Sequence, residues 1–156
     1  MSKFYSLEIN KINQLTNDAV EISFDISNTD SFSFISGQYI TVKHQINNED
    51  VRRAYSICSS SSEGLSIGVK LVEGGKMSSF LTKEVKERDV LEVMPPSGNF
   101  VINDNKDNIV GICAGSGITP LLSMIKSFLS DNFENKFTLI FGNQSQASTM
   151  FLEELR

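Results

Sequence analysis

Three short segments of this chain carry residue types suited to holding an anionic phosphate. The first is Gly115-Ser116-Gly117-Ile118-Thr119-Pro120. It follows an apolar run and precedes a helical pattern, so it puts glycines beside a helix N-terminus. Glycines let backbone approach a pyrophosphate, and the first helical turn offers unpaired N–H groups and partial positive charge. Pro120 suits such a first turn, where its missing donor costs nothing. The second is Gly74-Gly75-Lys76-Met77-Ser78-Ser79, again glycines entering a helix, with two hydroxyls and a lysine. The third is Arg52-Arg53-Ala54-Tyr55-Ser56-Ile57 in a strand pattern. Arginine gives phosphate a charge-assisted, bidentate partner. Tyr55, two residues on, shares the face of Arg53 and can lie against an aromatic ring, with the Ser56 hydroxyl beside it. Each segment also has a plain structural reading: a strand-to-helix turn, a helix N-cap, and a solvated arginine beside a core tyrosine.

The elements that must position these segments change character along the chain. The first hundred residues read as strands. Val20, Ile22, Phe24 and Ile26 alternate with polar residues, the period of a half-buried strand. Further strand patterns are 37–44, 51–57, 65–72 and 90–94, separated by turn-rich segments. One helix is expected over Ser78–Glu87. Short strands at this spacing predict an antiparallel barrel or sandwich. The polar run from Asn103 to Asn108 marks a boundary, so residues 1–103 and 108–156 are expected as two domains. Beyond it, Ile109–Ala114 and Phe137–Phe141 are apolar strands of the buried parallel type, joined by a helix over Thr119–Ser130. A third helix is expected from Ser148, with Phe151, Leu152 and Leu155. One βαβ unit does not complete an open parallel sheet, so the chain reads as a piece of a longer one, and its exposed strand edge invites self-association.

Composition narrows the function classes. Among 156 residues the net charge is -5, with 40% hydrophobic and 21% charged residues. That balance argues against general binding to nucleic acid or an anionic membrane, while leaving room for a small anionic ligand. Two cysteines, Cys58 and Cys113, are too few for a disulfide framework or an ordinary iron–sulfur cluster, and read as core residues in a reducing, cytoplasmic setting. The N-terminus has no apolar signal region, and no run reaches the roughly 18 apolar residues of a membrane span. The single histidine, His44, has no partner at metal-ligand spacing, so no metal site is expected. Glu153-Glu154 reads as a solvated helix face.

Taken together, Arg53-x-Tyr55-Ser56, Gly75-x-x-Ser78 and Gly115-x-Gly117-x-x-Pro120 resemble, in order and spacing, the ferredoxin–NADP⁺ reductase superfamily. Gly37-Gln38-Tyr39 resembles that family's P-G-Q-Y segment, with Ser36 in place of proline. Pro96-Ser97-Gly98-Asn99-Phe100 resembles its P-x-G-x-F turn. Phe141-Gly142-Asn143 followed by Phe151–Leu155 resembles its next strand and helix. The resemblance spans essentially the whole chain. It is nearest to reductase components of bacterial oxygenases, those of phenylacetyl-CoA epoxidation among them.

The resemblance implies a six-stranded antiparallel, Greek-key flavin-binding barrel with a capping helix, followed by an incomplete α/β nucleotide-binding domain. It implies FAD rather than FMN, NAD(P)H as substrate, and any [2Fe-2S] centre in a C-terminal region outside this sequence. Arg53 would hold the flavin phosphates, Tyr55 would pack on the isoalloxazine, and Ser56 would sit at its reactive N5. Gly75, Met77, Ser78 and Ser79 would cradle the pyrophosphate, and Tyr39 would close the ring or ribose side. Gly115, Gly117, Thr119 and Pro120 would receive the dinucleotide, with Thr119 near the nicotinamide. Hydride would pass to the flavin, and single electrons onward to an iron–sulfur or oxygenase acceptor. Gln144 stands where family members often carry arginine. This leaves NADH versus NADPH open and leans against a 2′-phosphate. The same layout serves dihydroorotate dehydrogenase electron-transfer subunits and flavohaemoglobin reductase domains. A non-catalytic flavin-binding module is the alternative of another class.

Overall fold

A computed structural model describes residues 3–102, 108–132 and 134–156. Six antiparallel strands form one sheet: β1 (Tyr5–Thr16), β2 (Ala19–Phe24), β3 (Tyr39–Ile46), β4 (Glu49–Ser56), β5 (Leu65–Lys70) and β6 (Val90–Ser97). Their order, β4-β3-β6-β1-β2-β5, is that of a Greek key. The ends meet through an antiparallel bridge between Ile57 and Ile67, and the Cys58 N–H donates to the Ser66 carbonyl at 2.9 Å, so the sheet closes into a barrel. Strand alternation dictates what fills it. Val20, Ile22 and Phe24, Ile40 and Val42, Ile67 and Val69, and Leu91 and Val93 point into one buried core. The β3–β4 hairpin turns on Asn47 and Asn48, both at positive φ (52° and 63°), as a two-residue turn matched to strand twist requires.

Helix α1 (Lys76–Lys83) caps the barrel. Met77 and Leu81 enter the core, and the Phe80 ring stacks on His44 with centroids 4.1 Å apart. The helix is shorter than the sequence pattern predicts. It begins at Lys76 rather than Ser78 and ends before Glu84, where the amides of Glu84 and Val85 both turn onto the Phe80 carbonyl. Arg88 then takes φ 75°, which no helix continues.

Two parallel strands, β7 (Asn108–Ala114) and β8 (Lys136–Gly142), flank helix α2 (Ile118–Asp131). The expected third helix from Ser148 is absent. Residues Gln146–Ser148 form one 3₁₀ turn under a Ser145 capping box. Residues 150–155 are successive turns, with Phe151 at φ 58°. The apolar spacing there serves burial of Met150 and Phe151, not a helix face. The expected boundary run lies largely outside the described residues, since 103–107 are among those not described.

The two parts share a second core. Ala19 and Cys58 from the barrel pack with Ile118, Leu121, Leu122 and Met124 of α2 and with Met150 and Phe151. Ser123, fully buried, donates its hydroxyl to the Ser59 carbonyl at 2.6 Å, and the Ser36 and Ser127 hydroxyls are bonded to each other. Lys126 reaches Glu63 of the barrel and Glu154 of the C-terminal turns, both at 3.2 Å. Gly37, at φ 100°, lies at a further crossing, where a Cβ would stand 1.9 Å from the Phe100 carbonyl oxygen and 2.4 Å from Met124 Cε. Among the described residues no helix is long and apolar enough to cross a membrane, and no cluster of metal-ligating side chains occurs.

Candidate functional site

A cleft of about 540 Å³ opens where β4, β5, α1 and the loop before α2 converge. Arg53, Tyr55 and Ser56 reach it from β4. Gly75, Lys76, Met77 and Ser78 reach it from the start of α1. Ser116, Gly117, Thr119 and Pro120 reach it from the start of α2. The three segments that the sequence marks as phosphate-holding therefore line one cavity, although more than sixty residues separate the first from the last.

The cleft chemistry follows from local structure. Neither helix has a side-chain N-cap: Gly75 precedes α1 and Gly117 precedes α2, and neither can supply one. The first-turn amides of α1 are left without a side-chain acceptor beside the cleft, whereas a 3₁₀ turn over Gly115–Gly117 leads into α2 and the Ile118 N–H donates to the Gly115 carbonyl. Arg53 is exposed, donates to the Arg52 carbonyl at 2.7 Å, and has no carboxylate within ion-pair distance among the described residues. Burial pushes the Tyr55 phenol up to about 12, against the pull of the Arg53 charge, so the ring stays neutral across ordinary pH. A neutral aromatic face beside an uncommitted guanidinium suits a ligand that is flat at one end and anionic at the other.

Some expected residues have structural duties or lie beside the cleft rather than in it. The Ser78 hydroxyl accepts from the Val72 amide at 3.1 Å and donates to the Gly75 carbonyl at 3.3 Å, pinning the glycine loop onto α1. The Ser79 amide already donates to Gly75, and Ser79 is not a lining residue. Tyr39 also stands outside the lining. It is the cross-strand partner of Ser56, and its exposed ring lies over Gly98, where a Cβ would stand 3.1 Å from two ring carbons. Gly115, at φ 52°, starts the 3₁₀ turn that leads into α2 and is not a lining residue. The Thr119 hydroxyl donates to the Ser116 carbonyl at 2.9 Å, while its side chain is buried against β5.

The structure also adds residues. Gly68, Lys70 and Val72 line the cleft along β5 and just beyond it. Their signal is the period-two pattern of β5, in which Leu65, Ile67 and Val69 face the barrel core, so that 68, 70 and 72 must face out. Lys76 brings a third cation, paired with Glu49 of β4, whose carboxyl this pairing holds below its ordinary range. Lys70 is 3.6 Å from Asp18.

Comparison with known proteins matches both parts of the chain to families. Residues 6–102 match the oxidoreductase FAD-binding domain family, and residues 112–156 match the oxidoreductase NAD-binding domain family. A component of the 1,2-phenylacetyl-CoA epoxidase of Escherichia coli (strain K12) is 38% identical, over 99% of this chain and 45% of its own length. A flavohemoprotein of Pseudomonas aeruginosa is 42% identical over 62% of this chain and 25% of its own. Among solved structures, phthalate dioxygenase reductase superposes with TM-score 0.85 at 27% identity, over 97% of this chain and 47% of that one. The chain thus spans less than half the length of each of these proteins. With its Greek-key barrel, its capping helix and this match over residues 6–102, the chain belongs to the oxidoreductase FAD-binding domain family.

Proposed function

We propose that the chain is the flavin-binding and nicotinamide-receiving part of a cytoplasmic NAD(P)H-dependent reductase that serves a multicomponent oxygenase. The observation that carries this reading is the convergence of Arg53, Tyr55 and Ser56 with two glycine-led helix starts on one cleft. When bound, FAD supplies the conversion of a two-electron hydride into single electrons. The protein's own residues bind and orient. Arg53 and the first-turn amides at Met77 and Ser78 hold the diphosphate, with Gly75 giving it close approach and the Ser79 hydroxyl at the rim. Tyr55 packs its neutral ring on the isoalloxazine, and Ser56 places its hydroxyl at N5. Tyr39, beside Ser56 across the β3–β4 ladder, closes the outer edge. Gly115, Gly117, Thr119 and Pro120 seat the dinucleotide, facing the flavin across a gap that hydride transfer requires to be short.

Residues 1–103 are the flavin domain in this reading, and residues from 108 onward begin the nicotinamide domain. FAD is favoured over FMN because the α1 turn adds a second phosphate seat to the Arg53 seat. The electron acceptor is an iron–sulfur centre of the reductase or its oxygenase, and the similarity to the epoxidase component points to aromatic degradation. A second reading, a flavohaemoglobin-type reductase, rests on the 42% identity to the Pseudomonas flavohemoprotein. Chromatography of flavin released from the purified chain tests the cofactor, and anaerobic mixing with NADH and with NADPH tests the donor. Released FAD and bleaching by a nicotinamide nucleotide are expected. A chain that takes up neither FAD nor FMN contradicts the proposal.

A further inference from the structure

Strand β5 is buried on both faces, and its outer face meets the α/β unit at Gly68. A Cβ at Gly68 would stand 2.5 Å from Thr119 Cγ2, 3.1 Å from Phe151 Cζ and 3.2 Å from Met150 Cε. Thr119 lies in the first turn of α2, and Met150 and Phe151 lie in the C-terminal turns; both segments contribute to the shared core. Gly68 also lines the cleft, as Thr119 does. Its conformation is not the reason for the glycine, since its φ lies outside the left-handed range. The reason is space: backbone and threonine methyl are already in contact.

We propose that Gly68 is a spacer that sets how closely the dinucleotide loop sits on the flavin side of the cleft, and hence is a positioning residue for hydride transfer. Any side chain at 68 lifts Thr119, and the unit attached to it, away from β5. The hydride-transfer part rests on the proposed function; the seating part does not. Thr119→Ser removes the methyl that a new Cβ would strike and keeps the hydroxyl that bonds Ser116, so it is the natural rescue.

Cys58 reports seating without any cofactor. It is fully buried in the shared core, and burial, reinforced by the nearby Glu21 carboxylate, holds its thiol protonated. The test uses the full chain with Cys113→Ser, comparing Gly68→Ala, Gly68→Val and Gly68→Ala/Thr119→Ser. Thiol labelling of Cys58 should quicken in the order Ala then Val, by about tenfold or more for Val. The double variant should label close to the parent rate. At saturating FAD, Gly68→Val should reduce its flavin from NADH about 100-fold more slowly, the penalty of roughly 1 Å of misplacement. The double variant should recover most of what Gly68→Ala loses. Unchanged Cys58 labelling in Gly68→Val overturns the spacer. Failure of the parent to bind flavin, with quickened labelling in the Gly68 variants, counts against the proposed function and not against the spacer. Normal hydride transfer despite quickened labelling limits Gly68 to seating and overturns its positioning role.

Discussion

The barrel and the α/β unit satisfy their hydrophobic surfaces in different ways. The barrel turns one face of six strands inward and closes on itself through the Ile57–Ile67 bridge, so its core is its own. The α/β unit has two strands and one helix. It covers one face of its sheet with α2, buries α2 partly against the barrel, and leaves Val110, Ile112 and Ile140 exposed at 63%, 73% and 55% on the other face. Parallel strands are ordinarily buried on both faces. The barrel therefore carries the stability of the fold, while the α/β unit draws its order from the surface on which it sits. The cleft lies along that surface, so its barrel half rests on a self-contained core and its α2 half is only as well placed as the seat.

Breaking the barrel should have the largest effect. Ile67→Asp puts an unpaired carboxylate at the fully buried closing bridge, and should leave no cooperative unfolding transition in circular dichroism. Leu122→Ala, at 2% exposure in the shared core, should cost about 2–5 kcal/mol of local stability. Hydrogen exchange should then speed in residues 108–156 while barrel amides keep their protection; equal loss in both would show the two parts to be one cooperative unit. Lys126→Met should cost less than about 1 kcal/mol, because its partners are half exposed.

That last effect has a pH window. Burial works against the Lys126 charge, but Glu154 and Glu63 outweigh it and raise its affinity for protons. Burial likewise opposes the Glu63 charge, but the Ser60 amide and hydroxyl and Lys126 outweigh it and lower its value. A lowered carboxyl stabilises above its unfolded value, near 4.3, and loses that contribution as pH falls through the lower folded value. A raised ammonium stabilises fully below about 10.4 and loses it as pH rises through the higher folded value. The Lys126→Met penalty in urea midpoint should thus be flat from about pH 5 to pH 10 and shrink on the acid side. The smallest stability change, within about 0.5 kcal/mol, is expected for Ile112→Lys on the exposed sheet face. Any concentration-dependent self-association in sedimentation should weaken in that variant, since this face presents Val110, Ile112 and Ile140 to solvent.

Much of the fold was legible in the residues because period-two alternation survives in β2, β3, β5 and β6. Strand β1 is harder to read: register shifts between Ile9 and Lys11 and between Gln14 and Thr16 break its alternation. The third helix fails for a tertiary reason, since Phe151 adopts φ 58° to reach the shared core. The cleft's outline was legible because phosphate-holding loops are built from local signals, glycines before helices and an arginine on a strand. Gly68 and Lys70 carry no such local signal. Their place depends on which face of β5 points outward and on what the chain lays against it some fifty residues later.

Whether the cleft between β4, α1 and the α2 loop holds the flavin decides the rest. It is measured by titrating the full chain with FAD, followed by its visible spectrum, for the parent and for Arg53→Ala/Tyr55→Ala. Arg53 is exposed and Tyr55 only half-buried, so thermal unfolding should show both proteins folded. The expected result is saturable binding by the parent and at least a hundredfold weaker binding by the variant, about 2.7 kcal/mol for a lost charge-assisted phosphate contact and a lost stacking face. Equal affinity in two folded proteins would place the flavin elsewhere and contradict this assignment of the cleft.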